Sequence, residues 1–315
     1  MALTLDDLVT SPDHYLHSFE GDNAIFVPMD RAAYHRSIFL DDRISAASPG
    51  SMRIPLALLP PAARNQMPVG WIFHVAHCGS TLLARALDQI DTSLVLREPL
   101  ALRQLAVAPD ADRAAIVRAL LSKSYAPGMS TIIKANVPVN FVIADIADSG
   151  AHAIMLYCGL HNYILAVLRS PSHRAWLGHV SDELKSHIDG PPVQNDGERA
   201  AALWLAQTRA FSSALETMPN ARTLNADVFF RNPYATLRAA AAHMNIAMTD
   251  SRIEEIVAGP LFATDAKRPT LSFDNAARQM RNAALEITLA DALENAQRWL
   301  EKAGGSAADL DRPLI

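Results

Sequence analysis

With 315 residues, half of them hydrophobic, the chain is long enough for one large domain with additions and can build a sizeable core. Its formal net charge of −5 argues against a nucleic-acid binder or a protein drawn to anionic lipid, since neither works without a basic field. Two cysteines, Cys78 and Cys158, are too few for a disulfide framework and point to a reducing compartment.

The start, Met1-Ala2-Leu3-Thr4-Leu5-Asp6-Asp7, lacks the basic and apolar regions of a signal peptide. No run approaches the ~20 apolar residues of a membrane helix. The expectation is a cytoplasmic protein with no membrane contact. In chain order, 23–28 and 37–40 are predicted as short strands or an edge hairpin. Pro49, Pro55, Pro60, Pro61 and Pro68 then interrupt regular structure. From 71 the pattern alternates: strand 71–75, helix 80–90, strand 94–96, helices 99–107 and 111–124, strand 130–134, helix 139–149, strand 152–157. The apolar run 163–168 is predicted as a further strand, followed by helix 172–186, a Pro- and Gly-rich loop at 190–197 and a long helix at 198–217. Strand 222–225 and helix 233–244 close the alternation. The remainder is predicted helical at 250–258, 273–285 and 288–303, with a basic loop at 264–269 and a mobile tail from Gly304. Strands separated by helices imply a parallel sheet covered on both faces, with ligands bound at the carboxyl ends of its strands. His77, Glu98, Lys134 and Arg169 all fall at such ends in this assignment.

The stretch Trp71-Ile72-Phe73-His74-Val75-Ala76-His77-Cys78-Gly79-Ser80-Thr81-Leu82-Leu83 runs from an apolar strand through small residues into helical spacing. The first N–H groups of such a helix have no internal partner, and its dipole is positive there, which makes a seat for phosphate or sulfate. Gly79 lets the backbone approach the anion, while Ser80 and Thr81 add hydroxyl donors. A Walker A loop needs Gly, four residues, then Gly-Lys-Ser/Thr. Here His74 stands at the first glycine position and Ser80 at the lysine position. His74 and His77 are three apart and face opposite sides on a strand, so they do not make a metal pair.

His77-Cys78-Gly79-Ser80-Thr81-Leu82-Leu83 resembles the 5′-phosphosulfate loop of sulfotransferases, and Arg97-Glu98-Pro99-Leu100 resembles the Glu-Pro element of their carbohydrate and bacterial members. The resemblance implies an α/β P-loop three-layer fold, a parallel sheet flanked by helices. It also implies 3′-phosphoadenosine-5′-phosphosulfate (PAPS) as donor, its bisphosphate PAP as product, and no metal. Under it Cys78, Gly79, Ser80 and Thr81 hold the 5′-phosphosulfate, Cys78 through its backbone. His77 stands where the family has Lys or Arg on the transferring sulfuryl group, and a plain turn histidine is the alternative. Glu98 is the implied general base, with a helix-start acid as the alternative. Arg169-Ser170-Pro171 resembles the family's 3′-phosphate element, and an Arg fork suits that task. The family's Ser eight residues later is Leu177 here, which leaves Ser172, His173, Arg174 or Ser181 as substitutes. Lys267 and Arg268 lie where the family has a basic loop over the nucleotide, and Lys134 is a spare cation for site or acceptor. Asn225 to Pro233 matches a late structural element of the family.

The resulting division is an N-terminal extension at 1–68, a sulfotransferase-like P-loop domain at 69–270 and a helical addition at 271–315. The expected activity is transfer of a sulfuryl group from PAPS to a hydroxyl or amine of a small-molecule, carbohydrate or peptide acceptor. Residues 1–68, 98–125 and 186–197 are the expected acceptor surroundings. Two other readings stand beside it. One is an atypical kinase using ATP and Mg²⁺, with Lys134 reaching in. The other is a non-catalytic nucleotide-binding or regulatory protein, which His77 and Leu177 favour.

Overall fold

The computed structural model describes residues 4–59, 68–305 and 310–315. Pro60, Pro61, the first three residues and part of the tail therefore lie outside the described residues. Three strands open the chain: β1 (His14–Glu20), β2 (Asn23–Pro28) and β3 (Met52–Pro55). They form an antiparallel sheet in the order β1-β2-β3. The central sheet follows, with β4 (Val69–His74), β5 (Ser93–Arg97), β6 (Ser130–Lys134), β7 (Ala153–Tyr157) and β8 (Ala221–Asn225). All its pairings are parallel, in the order β5-β6-β4-β7-β8. A short hairpin, β9 (Thr264–Asp265) and β10 (Arg268–Ser272), comes late. The fold is thus the expected α/β architecture with a parallel sheet between helices.

Helices cover both faces, so the central strands are buried over most of their length and read as largely continuous apolar runs, not as alternations. The connection from β4 runs to one side of the sheet and that from β7 to the other. The crevice between their carboxyl ends is therefore the switch point where ligands bind in such sheets.

Several elements differ from the sequence assignment. The run at 163–168 lies in a helix, Leu160–Val167, with Tyr163, Ile164, Leu165 and Val167 buried. A short apolar run buried on all sides has no periodicity that separates helix from strand. Arg169 consequently stands at a junction between two helices and not at a strand end. Residues 37–40 form no strand. They are stitched to β5 instead, with the Leu40 N–H donating to the Arg97 carbonyl at 2.7 Å. The segment 139–149 is a 3-10 turn, Val137–Phe141, and one helical turn, Ile143–Ile146. The basic loop at 264–269 is the β9–β10 hairpin.

Of the tail, residues 310–315 are placed against the sheet. The Thr223 N–H donates to the Arg312 carbonyl at 2.9 Å and the Leu314 N–H to the Thr223 carbonyl at 2.8 Å. The tail thereby extends the sheet at β8, whose outer backbone groups need partners that the expectation of mobility left unassigned.

The opposite edge, β5, is closed by the segment 31–40. The Arg97 guanidinium, 1% exposed, donates to the carbonyls of Tyr34 and Ser37 and to Asp88, whose side chain is 0% exposed. Asp88 also receives Arg31 at 2.8 Å and His35 at 3.1 Å. Burial works to raise the Asp88 carboxyl. The His35 hydrogen bond and the Arg97 and Arg31 charges overcome it and bring the pKa from 3.8 down to about 2.

Candidate functional site

The turn after β4 has three residues in the left-handed region: Ala76 (φ 73°), His77 (φ 51°) and Gly79 (φ 89°). This reverses the chain so that the helix Ser80–Leu87 starts at the crevice, with Gly79 as its N-cap and no side chain capping it. The first N–H groups of this helix have no partner within the helix. A Cβ on Gly79 would lie 2.8 Å from Cζ of Phe230, so the position needs glycine twice, for its φ and for space.

The turn opens into a cavity of ≈ 860 Å³. The segment 36–45 forms one wall and helices Leu160–Val167 and Asn275–Thr288 others, while the β9–β10 hairpin closes the rim. Seven Arg and Lys side chains line it, against two carboxylates, Asp227 and Asp265. A chain of net negative charge thus concentrates a basic field here. Two buried polar atoms at the turn have no partner among the described residues, the Thr81 hydroxyl and Nε2 of His77. Buried polar groups are nearly always hydrogen-bonded, so such a pair beside a free helix N-terminus marks a place where a ligand supplies the bonds. Among the described residues no group of three or more His, Cys, Asp or Glu is arranged to hold a metal ion.

Of the residues singled out in the sequence, His77, Cys78, Gly79, Ser80, Thr81, Arg169, Lys267 and Arg268 all line this cavity. The ring of His77 packs 4.7 Å from that of His173 and 4.9 Å from that of Trp176. Burial, with Lys267, His173 and Arg169 nearby, pushes its pKa well below the usual histidine value, so the imidazole is neutral. The Cys78 thiol is buried and its pKa rises to about 11, which makes it unreactive.

Arg169 donates through Nε to Nε2 of His173 at 2.9 Å, and the other ring nitrogen of His173 lies 2.6 Å from the Ser170 hydroxyl. With Nε2 accepting, Nδ1 carries the proton and donates to Ser170. Burial first, then the Arg169 and Lys267 charges, hold His173 at a pKa of about 4. The ring therefore stays neutral and fixes the Arg169 fork. Leu177 is fully buried, whereas Ser172 and His173 line the cavity. They are the two of the four suggested substitutes that reach it.

Glu98 and Lys134 lie just beyond the lining. Glu98 has φ 56°, and its Oε1 is hydrogen-bonded by the Lys134 ammonium. The Lys134 side chain is 0% exposed and that of Glu98 17%. Lys134 is thus paired with Glu98 and is not among the residues that line the cavity. Oε2 of Glu98 has no hydrogen bond among the described residues. Burial works to raise this carboxyl, but the Lys134 and Lys267 charges outweigh it and hold the pKa below the usual value. Lys134→Met is expected to raise the Glu98 pKa, because burial then acts with less opposition. A ¹³C NMR titration of the Glu98 carboxyl tests this, and an unmoved midpoint would discard the pairing.

Sequence reasoning missed Arg36, Arg43, Arg278 and Arg281. Arg278 lies 4.3 Å over the Phe230 ring and 3.4 Å from Asp227. Arg278 and Arg281 are three apart on one helix and so share a face, a signal that was present in the sequence. Arg36 and Arg43 carried none, since only the docking of 31–45 onto β5 brings them to the cavity.

No protein-family model and no curated protein matches this sequence. Among solved structures, the fold is similar to a sulfotransferase domain from the curacin biosynthetic pathway. The match covers 78% of this chain and 99% of that one, at 11% identity and a TM-score of 0.39.

Proposed function

We propose that the cavity binds PAPS and transfers its sulfuryl group to a hydroxyl or amine of a small-molecule, carbohydrate or peptide acceptor. One observation carries this reading: the two unpartnered polar atoms, Thr81 Oγ1 and His77 Nε2, beside an uncapped helix N-terminus in a basic cavity of ≈ 860 Å³. The donor supplies the activated sulfur–oxygen bond. The N–H groups of 78–81 and the Thr81 hydroxyl bind the 5′-phosphosulfate, with Nε2 of His77 as a further neutral contact. Arg169, its fork held by His173, takes the 3′-phosphate, with Arg281 beside it. Phe230 and Phe273, whose rings are 5.9 Å apart, form an aromatic edge suited to the base. Glu98 accepts the acceptor's proton on Oε2 while Lys134 anchors Oε1.

The kinase reading asked Lys134 to reach the loop, and Lys134 is spent on Glu98. Calorimetry with adenosine 3′,5′-bisphosphate, beside ATP with and without Mg²⁺, tests the proposal. Micromolar binding of the bisphosphate is expected. Arg169→Ala should weaken it by roughly 10- to 100-fold, the worth of a charge-assisted pair. Binding of Mg·ATP alone would replace the reading with the kinase, and binding of neither would leave the non-catalytic one.

A further inference from the structure

Sulfuryl transfer pushes an electron pair onto the oxygen that leaves sulfur, so the reaction needs positive charge at the loop when that bond breaks. The N–H groups of 78–81 supply part of it. His77 supplies no full charge, since it is buried against two rings and neutral.

The cavity's cations divide by what they are already paired with. Arg36 faces Asp30 at 3.9 Å, Arg43 pairs with Asp41, Arg268 faces Asp265 at 3.8 Å and Arg278 faces Asp227 at 3.4 Å. Arg169 is tied to His173. Among the described residues, only Lys267 and Arg281 of the lining cations have no carboxylate within 4.0 Å and no hydrogen bond through the charged group. Their surroundings differ. Arg281 acts on Arg169, and both it and Lys267 act on His173. Lys267 acts on His77, His74 and Glu98, at the loop end.

Lys267 sits at the turn of the β9–β10 hairpin. Asp265 fixes that turn by accepting the Lys267 N–H at 3.0 Å and the Arg268 N–H at 2.9 Å. Arg85, on the loop's own helix, donates to the Ala266 carbonyl at 3.0 Å and ties the hairpin down. The residue is exposed, and its ammonium lies 5.7 Å from the Phe39 ring. The Lys134 ammonium, bound to Glu98, lies 5.8 Å from the same ring. Lys267 thus lines the same cavity as the turn and shares the Phe39 ring with Lys134, near the carboxylate read as the base.

We propose that Lys267 is the cation that contacts the transferring sulfuryl group, the task for which the loop itself offers only His77. This rests on the PAPS reading above. In the step, the acceptor oxygen forms its bond to sulfur while the bond from sulfur to the 5′-phosphate oxygen breaks. The electron pair stays on that phosphate oxygen, which the N–H groups of 78–81 face, while Lys267 contacts the oxygens of the sulfuryl group and Glu98 takes the acceptor's proton. Lys267 is then a catalytic residue and not a holder of the nucleotide, so it senses the sulfuryl group and is indifferent to the product that lacks it.

Calorimetry of wild type and Lys267→Met with PAPS and, separately, with adenosine 3′,5′-bisphosphate tests the assignment, together with the rate of sulfate release from bound PAPS into water. The variant is expected to bind bisphosphate within about 3-fold of wild type, to bind PAPS roughly 10-fold more weakly, and to release sulfate at least 10-fold more slowly. Lys267→Arg should restore part of both losses. Equal weakening of the two ligands would make Lys267 a phosphate holder and overturn the proposal, as would unchanged PAPS binding and sulfate release. If wild type binds neither nucleotide, the donor reading itself falls and Lys267 has no sulfuryl group to face. Bisphosphate binding by wild type separates that failure from the others.

Discussion

Arg97→Met is expected to destabilise the fold by about 3–5 kcal/mol, the usual cost of leaving one partner of a buried pair without the other. Asp88 would remain buried with Arg31 and a half-exposed His35 as its remaining side-chain partners, and the carbonyls of Tyr34 and Ser37 would lose their donor. The segment 31–40 would then loosen from β5 and take Phe39, Arg36 and Arg43 away from the cavity. Thermal and urea unfolding measure the loss, and a melting temperature equal to that of wild type would show that the network contributes nothing. The same network sets an acid limit. The folded-state pKa of Asp88, about 2, lies below its ordinary value of 3.8, so its contribution is complete above about pH 4 and is lost as pH falls toward 2. Arg97→Met should lose stability at higher pH than wild type, because part of what depresses that carboxyl has been removed.

Gly79→Val is expected to abolish nucleotide binding, a loss of more than about 100-fold if two charge-assisted bonds to the anion go. The substitution places a β-branched residue at φ 89° and a Cβ 2.8 Å from the Phe230 ring. The left-handed conformation alone costs about 1–2 kcal/mol, and relieving the clash swings the first N–H groups of the helix off the cavity. Circular dichroism separates this from unfolding, and calorimetry with adenosine 3′,5′-bisphosphate reads the effect. A folded variant that binds like wild type would mean that the turn is not the phosphate seat.

Different parts of this arrangement were open to sequence reasoning for different reasons. The turn at 76–81 was legible because an anion seat is a local object: a buried strand, small residues and a helix start are contiguous in the chain. Glu98 and Lys134 were legible as strand-end residues but not as a pair. Their meeting requires β5 and β6 to lie side by side with Arg97 opposite Lys134, and that register is a long-range fact. The helix at Leu160–Val167 was misread because its run from Tyr163 to Leu168 is apolar at every position, and only its packing against the helix Asp196–Thr217 distinguishes it from a strand. Arg36, Arg43 and Arg281 became site residues only once segments distant in sequence had closed around one cavity.

The sequence by itself determined most of the alternation of strands and helices, the strand–turn–helix at 71–87 and the lack of a lysine in its turn, because each is written in the spacing of neighbouring residues. Which of the cavity's cations are paired with a carboxylate, among the described residues, was decided by the tertiary structure alone. A side chain's charge is a property of its residue type, whereas its availability depends on the carboxylates that folding brings beside it.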